Sequence, residues 1–134
     1  MHAILLWSAL PGASRHHWGT DLDVFDKRSV EASGLKYEMI ADEYEGQGPC
    51  ARLSEWLQHN SEAYGFYRPY HSYVGGIGAE PWHISHKQEA NRIATNYQKQ
   101  LLFDLLSKSD IKGKHVILAH FDNIYHRYVL NKGV

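Results

Sequence analysis

The chain of 134 residues is short of several features that would settle its class at once. A single cysteine, Cys50, rules out a disulfide within the chain and leaves the redox compartment open; its thiol is expected to be a small, partly buried side chain. No charge of one sign dominates: 14 Lys and Arg face 15 Asp and Glu, a formal net charge of -1. That balance gives no electrostatic footprint for nucleic acid or for an anionic membrane surface. Long apolar runs are missing as well. The run "AILLWSAL" near the start falls well short of the roughly 18 residues of a spanning helix, so no membrane insertion is expected. It also lacks the basic flank and cleavage site of a signal peptide, and reads as core structure. Repeats, low-complexity tracts and linker-like stretches are absent too, and the length fits a single domain, 1–134, able to bury a core without cross-links.

What the chain has in quantity is histidine, 10 residues, and tyrosine, 9. So many imidazoles invite a metal reading, yet they weaken any single spacing as support. With 10 His and 7 Asp, about half a His-x6-Asp match is expected by chance, so spacing has to be backed by its structural setting.

Hydrophobic periodicity supplies that setting. Residues 3–9 look like the end of a helix stopped by Pro11 and Gly12. From Thr20 to Phe25 polar and apolar residues alternate, which predicts a strand with Leu22 and Val24 on one face and Asp21 and Asp23 on the other. Leu53, Trp56, Leu57 and Tyr64 recur at helical spacing ahead of a capping Gly65. The Tyr, Gly and Pro of residues 64–81 read as short strands and loops, and "EPWHISH" as a second strand. Ala90, Ile93, Ala94, Tyr97, Leu101 and Leu105 form one long helical stripe; Ile117, Phe121, Ile124 and Tyr128 form another after Gly113. The expected fold class is therefore α+β, a small antiparallel sheet with packed helices.

Two segments on the predicted strands carry candidate chemistry. "SRHHWGTDLD" holds Ser14, His16, His17, Gly19 and Asp23; "EPWH" holds Glu80, Trp82 and His83. Together they resemble the signature motifs Ser-x-His-x-x-Gly-x-x-x-Asp and Glu-x-Trp-His of the zinc D-alanyl-D-alanine carboxypeptidase and dipeptidase family, peptidoglycan peptidases of the VanY and VanX type. That family is related in fold to lysostaphin-type endopeptidases and the Hedgehog signalling domain. The flanking "WSALPGASRHHWGTDLDV" and "GFYRPY" extend the likeness over most of the chain.

The resemblance implies a zinc ion held by His16, Asp23 and His83 in a cleft at the sheet, with a water in the fourth position. Three N and O ligands with one open site suit catalytic Zn²⁺. Chemistry alone does not choose between His16 and His17; the motif selects His16. Glu80 is then the implied general base. Ser14, His17, Trp82 and Arg68 are candidates for contact with substrate or for support of the ligands. Asp21 is expected to be a solvated strand carboxylate in preference to a support for the ligands, since many relatives carry a small apolar residue there. In a regular strand Glu80 and His83, three apart, would face opposite ways, so Pro81 is expected to bend the chain between them.

The implied activity is hydrolysis of the terminal D-Ala-D-Ala bond of peptidoglycan-derived peptides. Rivals are an L,D-carboxypeptidase or cell-wall endopeptidase on the same fold, and a non-catalytic zinc- or peptide-binding relative. The partner implied is a stem peptide ending in D-Ala, and the implied location the cell envelope or periplasm. One departure stands out: relatives place an arginine well upstream of the first motif, and Met1 lies too close to His16 for that segment. The expectation is either a shortened chain, whose exposed apolar surface would favour a homodimer, or a substitute arginine, Arg15 or Arg68.

Overall fold

The computed structural model describes residues 2–133. The alternating stretch after Thr20 becomes strand β1 (Asp21–Asp23), which joins β2 (Phe66–Tyr67) and β3 (His83–His86) in an antiparallel sheet of order β1-β3-β2. Register pairs Asp21 with Ser85 and Asp23 with His83 on one side, and Tyr67 with Ser85 on the other. Directly paired residues share a face of a pleated sheet. Asp21, Asp23, Tyr67, His83 and Ser85 therefore look the same way.

The buried residue of β1 is Asp21 on this polar face, the reverse of the expected burial of Leu22. Asp21 is 4% exposed and Leu22 54%. The reason is chemical: Asp21 meets enough hydrogen-bond donors to be buried as an anion, while Leu22 lies uncovered on an edge strand. The second expected strand is shorter than "EPWHISH". It begins at His83, and Glu80 to His83 form a turn closed by the His83 N–H on the Glu80 carbonyl (3.1 Å).

Seven helices surround the sheet among the described residues. The first two are α1 (His2–Leu5) and α2 (Lys27–Ser33), the latter capped by Asp26, whose carboxylate accepts from the Ser29 backbone and hydroxyl. The amphipathic α3 (Ala51–Asn60) continues through a 3-10 turn to Gly65. The long stripe expected over residues 90–105 is two helices, α4 (Lys87–Asn96) and α5 (Lys99–Lys108), separated by extended backbone at Tyr97 and Gln98. Restarting the helix at Lys99 resets its phase, so Leu102 and Leu106 are buried and the predicted Leu101 and Leu105 are exposed. The chain closes with α6 (Lys114–Ala119), α7 (Phe121–Ile124) and a π-helical turn, Tyr125–Val129. Ile117, Phe121, Ile124 and Tyr128 are all buried, as their spacing predicts.

Two apolar clusters result. The larger joins Leu5, Leu10 and Ala13 to Leu102, Leu106 and the buried face of the last helices. The smaller gathers Tyr44, Cys50 and Trp82, with Val30, Tyr37 and Leu53 against it; Cys50 is fully buried rather than partly. A cleft of about 790 Å³ is lined by members of both, including Leu5, Ala13 and Tyr128 from the first and Trp82 from the second. The polar face of the sheet opens into it through Asp23 and His83. No helix among the described residues is long and apolar enough to cross a membrane.

Candidate metal centre

His16 reaches the cleft from a 3-10 turn, Arg15–Trp18, packed against β1. Gly19 ends the turn in the left-handed region (φ 70°), with its N–H on the His16 carbonyl; a residue without Cβ takes that conformation at least cost. Asp23 and His83 come from adjacent strands as a register pair. One ligand atom from each of His16, Asp23 and His83 lies within 4.8 Å of the others. The His16 Nε2 stands 3.4 Å from Asp23 Oδ2, and the His83 Nδ1 3.3 Å from Asp23 Oδ1. Glu80 completes the group, with Oε2 3.4 Å from the same His83 nitrogen. The turn through Pro81 achieves what a bent strand was expected to do: at its first and last positions, Glu80 and His83 meet on one side.

The donor set fits a metal ion by a specific observation. Among the described residues, His83 Nδ1 is the one buried side-chain nitrogen or oxygen without a hydrogen-bond partner. Such an atom is costly unless it has another partner. Its other nitrogen is engaged, with Nε2 2.8 Å from Asp21 Oδ1. The His16 ring is similarly divided, Nδ1 lying 3.3 Å from the Asp21 backbone carbonyl while Nε2 faces Asp23. Two imidazole nitrogens and a carboxylate, with Glu80 beside them, suit Zn²⁺ with an open coordination position.

Electrostatics around His83 are strongly skewed. Burial by itself would push its imidazole down, but the hydrogen bond to Asp21, and then Glu80, override this and raise it to about 9 from the usual 6.5. Burial would push Asp21 up, yet bonds from His83, Arg15 and Thr20 hold it well below the carboxylate range.

The remaining candidates divide. Ser14 and Trp82 line the cleft; Trp82 is 6% exposed and packs its ring against Tyr44 at 5.6 Å between centroids. His17 is exposed and does not line the cleft, so the geometry separates it from its neighbour His16. Arg68 requires a correction. Tyr67 at the end of β2 turns toward Arg15, and the next side chain points away: Arg68 donates to Ser54 and Gln58 on α3 and lines a separate depression. Arg15 lines the cleft, but its guanidinium is committed to Asp21 (2.8 Å), the Tyr67 hydroxyl (3.0 Å) and the Ser85 hydroxyl (2.7 Å). It is not free to take the substitute role expected of it.

Two further residues belong to the site. Tyr70 lines the cleft with its ring edge-on to His83 at 4.9 Å, and its carbonyl accepts the Glu80 N–H at 2.8 Å. No spacing rule picks it from four neighbouring tyrosines. Asp21 was set aside as solvated, although its two-residue offset from Asp23 already put it on the ligand face.

Fold and site together define a mixed α+β protein with a candidate mononuclear metal centre in an open cleft. A model of the VanY family, D-alanyl-D-alanine carboxypeptidase, matches residues 1–89, and the chain belongs to that family. Both signature segments and all three strands fall within the match. An uncharacterised protein of Haemophilus influenzae (strain ATCC 51907 / DSM 11121 / KW20 / Rd) is 30% identical over 123 residues, which cover 90% of this chain and 93% of that protein. No solved structure matches.

Proposed function

We propose that the protein is a zinc D,D-carboxypeptidase that hydrolyses the terminal D-Ala-D-Ala bond of peptidoglycan-derived peptides at the cell envelope. The observation that carries the reading is the unpartnered Nδ1 of buried His83, facing Asp23 and Glu80 in the cleft beside His16. His16 Nε2, a carboxylate oxygen of Asp23 and His83 Nδ1 would hold Zn²⁺, which would supply Lewis acidity for the scissile carbonyl and lower the pKa of a bound water to about 7.

The protein's own groups do the rest. Glu80, only 17% exposed, is placed to take the water's proton and deliver it to the departing amine nitrogen. Asp23 and the two imidazoles keep their positions through the strand register and the 3-10 turn. Tyr70, which burial keeps protonated, offers a neutral donor in the same cleft, where Arg15 is otherwise engaged.

A second reading, a cell-wall endopeptidase on the same centre, is favoured by one observation. Among the described residues Arg15 is the only Arg or Lys lining the cleft, and its guanidinium is already bonded, so a substrate's terminal carboxylate gains no free cation there. The experiment is elemental analysis of the purified chain together with release of D-alanine from a peptide ending in D-Ala-D-Ala, with and without a chelator. Zinc at one per chain with chelator-sensitive release supports the carboxypeptidase. Cleavage of a C-terminally amidated peptide in place of the free acid transfers the support to the endopeptidase, and zinc-loaded protein that cleaves neither removes both.

A further inference from the structure

Asp21 stands where a solvated carboxylate was expected, yet its side chain is fully buried. All of its acceptor capacity is used. Oδ1 receives Arg15 Nε at 2.8 Å and faces His83 Nε2 at 2.8 Å; Oδ2 receives the hydroxyls of Thr20 (2.6 Å) and Ser85 (2.9 Å). Its backbone carbonyl lies 3.3 Å from His16 Nδ1. One residue thus touches both candidate ligand histidines, in each case on the nitrogen that faces away from the cluster.

A histidine binds a metal through one ring nitrogen only when the other carries the proton, and the partner of that second nitrogen decides which is which. A buried anion on His83 Nε2 holds the proton there and leaves the Nδ1 lone pair to the centre. The Asp21 carbonyl does the same for His16 with the nitrogens exchanged. The carboxylate is itself held in place: Arg15, enclosed between the Trp18 ring (4.6 Å) and the Tyr67 ring (5.8 Å), supplies the balancing charge and a second bond through Ser85.

We propose that Asp21, anchored by Arg15, is the positioning residue of the metal centre, locking His83 for coordination through Nδ1 and His16 through Nε2. The proposal rests on the zinc reading of the site, and it adds a residue that never touches metal or substrate. The lever it names is the affinity of the site, since outer partners of this kind typically change metal affinity by about 10- to 100-fold.

The test compares zinc affinity of the wild-type chain, Asp21→Asn, and the charge-balanced double variant Arg15→Met with Asp21→Ala, by competition against a chromogenic chelator. Near-UV circular dichroism of each zinc-free protein reports folding. The double variant avoids leaving Arg15 buried without a counter-ion. The expected result is one zinc per chain for wild type, about 10- to 100-fold weaker binding for the double variant and a smaller loss for Asp21→Asn, which keeps an acceptor for His83. Wild-type affinity in a folded double variant overturns the Asp21 role alone, whereas a wild-type chain that takes up no zinc overturns the metal reading on which it rests. Should the double variant not fold, ¹⁵N spectra of histidine rings in the cadmium-loaded wild type decide. Metal coupling at His83 Nδ1 and His16 Nε2, with a proton retained on His83 Nε2, upholds the assignment; coupling at His83 Nε2 refutes it.

Discussion

Removing the metal should make the folded protein more stable at pH 6.5 than at pH 9, and restoring zinc should reverse the sign. His83 titrates at about 9 in the metal-free fold against 6.5 ordinarily. A group whose folded pKa is raised adds stability that is fully present below its unfolded value and is lost as pH climbs through the folded one. The window is therefore 6.5 to 9. At about 1.4 kcal/mol per unit the contribution approaches about 3 kcal/mol, and it needs little discount for solvent screening because the His83 side chain is 3% exposed. Asp21 does not blur the window: its pKa is depressed, so its contribution is lost only as pH falls below the ordinary carboxylate range. Urea unfolding in the presence of a chelator, from pH 6 to 9.5, should show the midpoint falling as pH rises, and His83→Gln should flatten the slope. With zinc the ligand nitrogen must be unprotonated, so proton and metal compete and stability should rise with pH over the same window. A zinc-free midpoint that is flat or rising between pH 6.5 and 9 would refute the account of His83 raised by Asp21 and Glu80.

Glu80→Gln should keep stoichiometric zinc while reducing D-alanine release by about 10²- to 10⁴-fold, measured under single-turnover conditions; a variant as active as wild type removes the general-base role. His16→Ala should lose stoichiometric zinc, and unchanged metal content on elemental analysis rules it out as a ligand. Arg68→Ala should leave zinc content and turnover alone, because its bonds run to Ser54 and Gln58 outside the cleft; a large fall in turnover contradicts that placement. Gly76→Ala should cost about 1–3 kcal/mol in thermal unfolding, since an added Cβ would stand 2.2 Å from the Arg127 carbonyl oxygen; an unshifted melting temperature means the π-helical turn yields freely.

Residues with local signals could be read from the chain. The apolar spacing of Leu53 and Leu57 marked α3, the alternation from Thr20 marked β1, and Ile117, Phe121, Ile124 and Tyr128 kept their stripe in the folded protein. The two motifs named His16, Asp23, Glu80 and His83, which the structure brings together. Where the signal depended on distant partners, reading failed. Tyr97 interrupts a stripe that looked continuous: its backbone is extended, and its partly buried side chain packs against the larger cluster. Arg68 and Tyr67 are adjacent and polar, and only the direction of β2 sends one to α3 and the other to Arg15.

By itself the sequence determined the mixed fold class, the separation of the two motifs onto different strands, and the residue types able to hold a metal ion. These depend on periodicity and chemical type, which are local properties. Only the tertiary structure decided that Asp21 rather than Leu22 is the buried residue of β1, that Glu80 and His83 meet across a turn rather than along a strand, and that Arg15 is consumed by Asp21. Burying a carboxylate is favourable only where donors from Arg15, Thr20, His83 and Ser85 converge on it, and that convergence exists only once the turn and strands β1 and β3 have assembled.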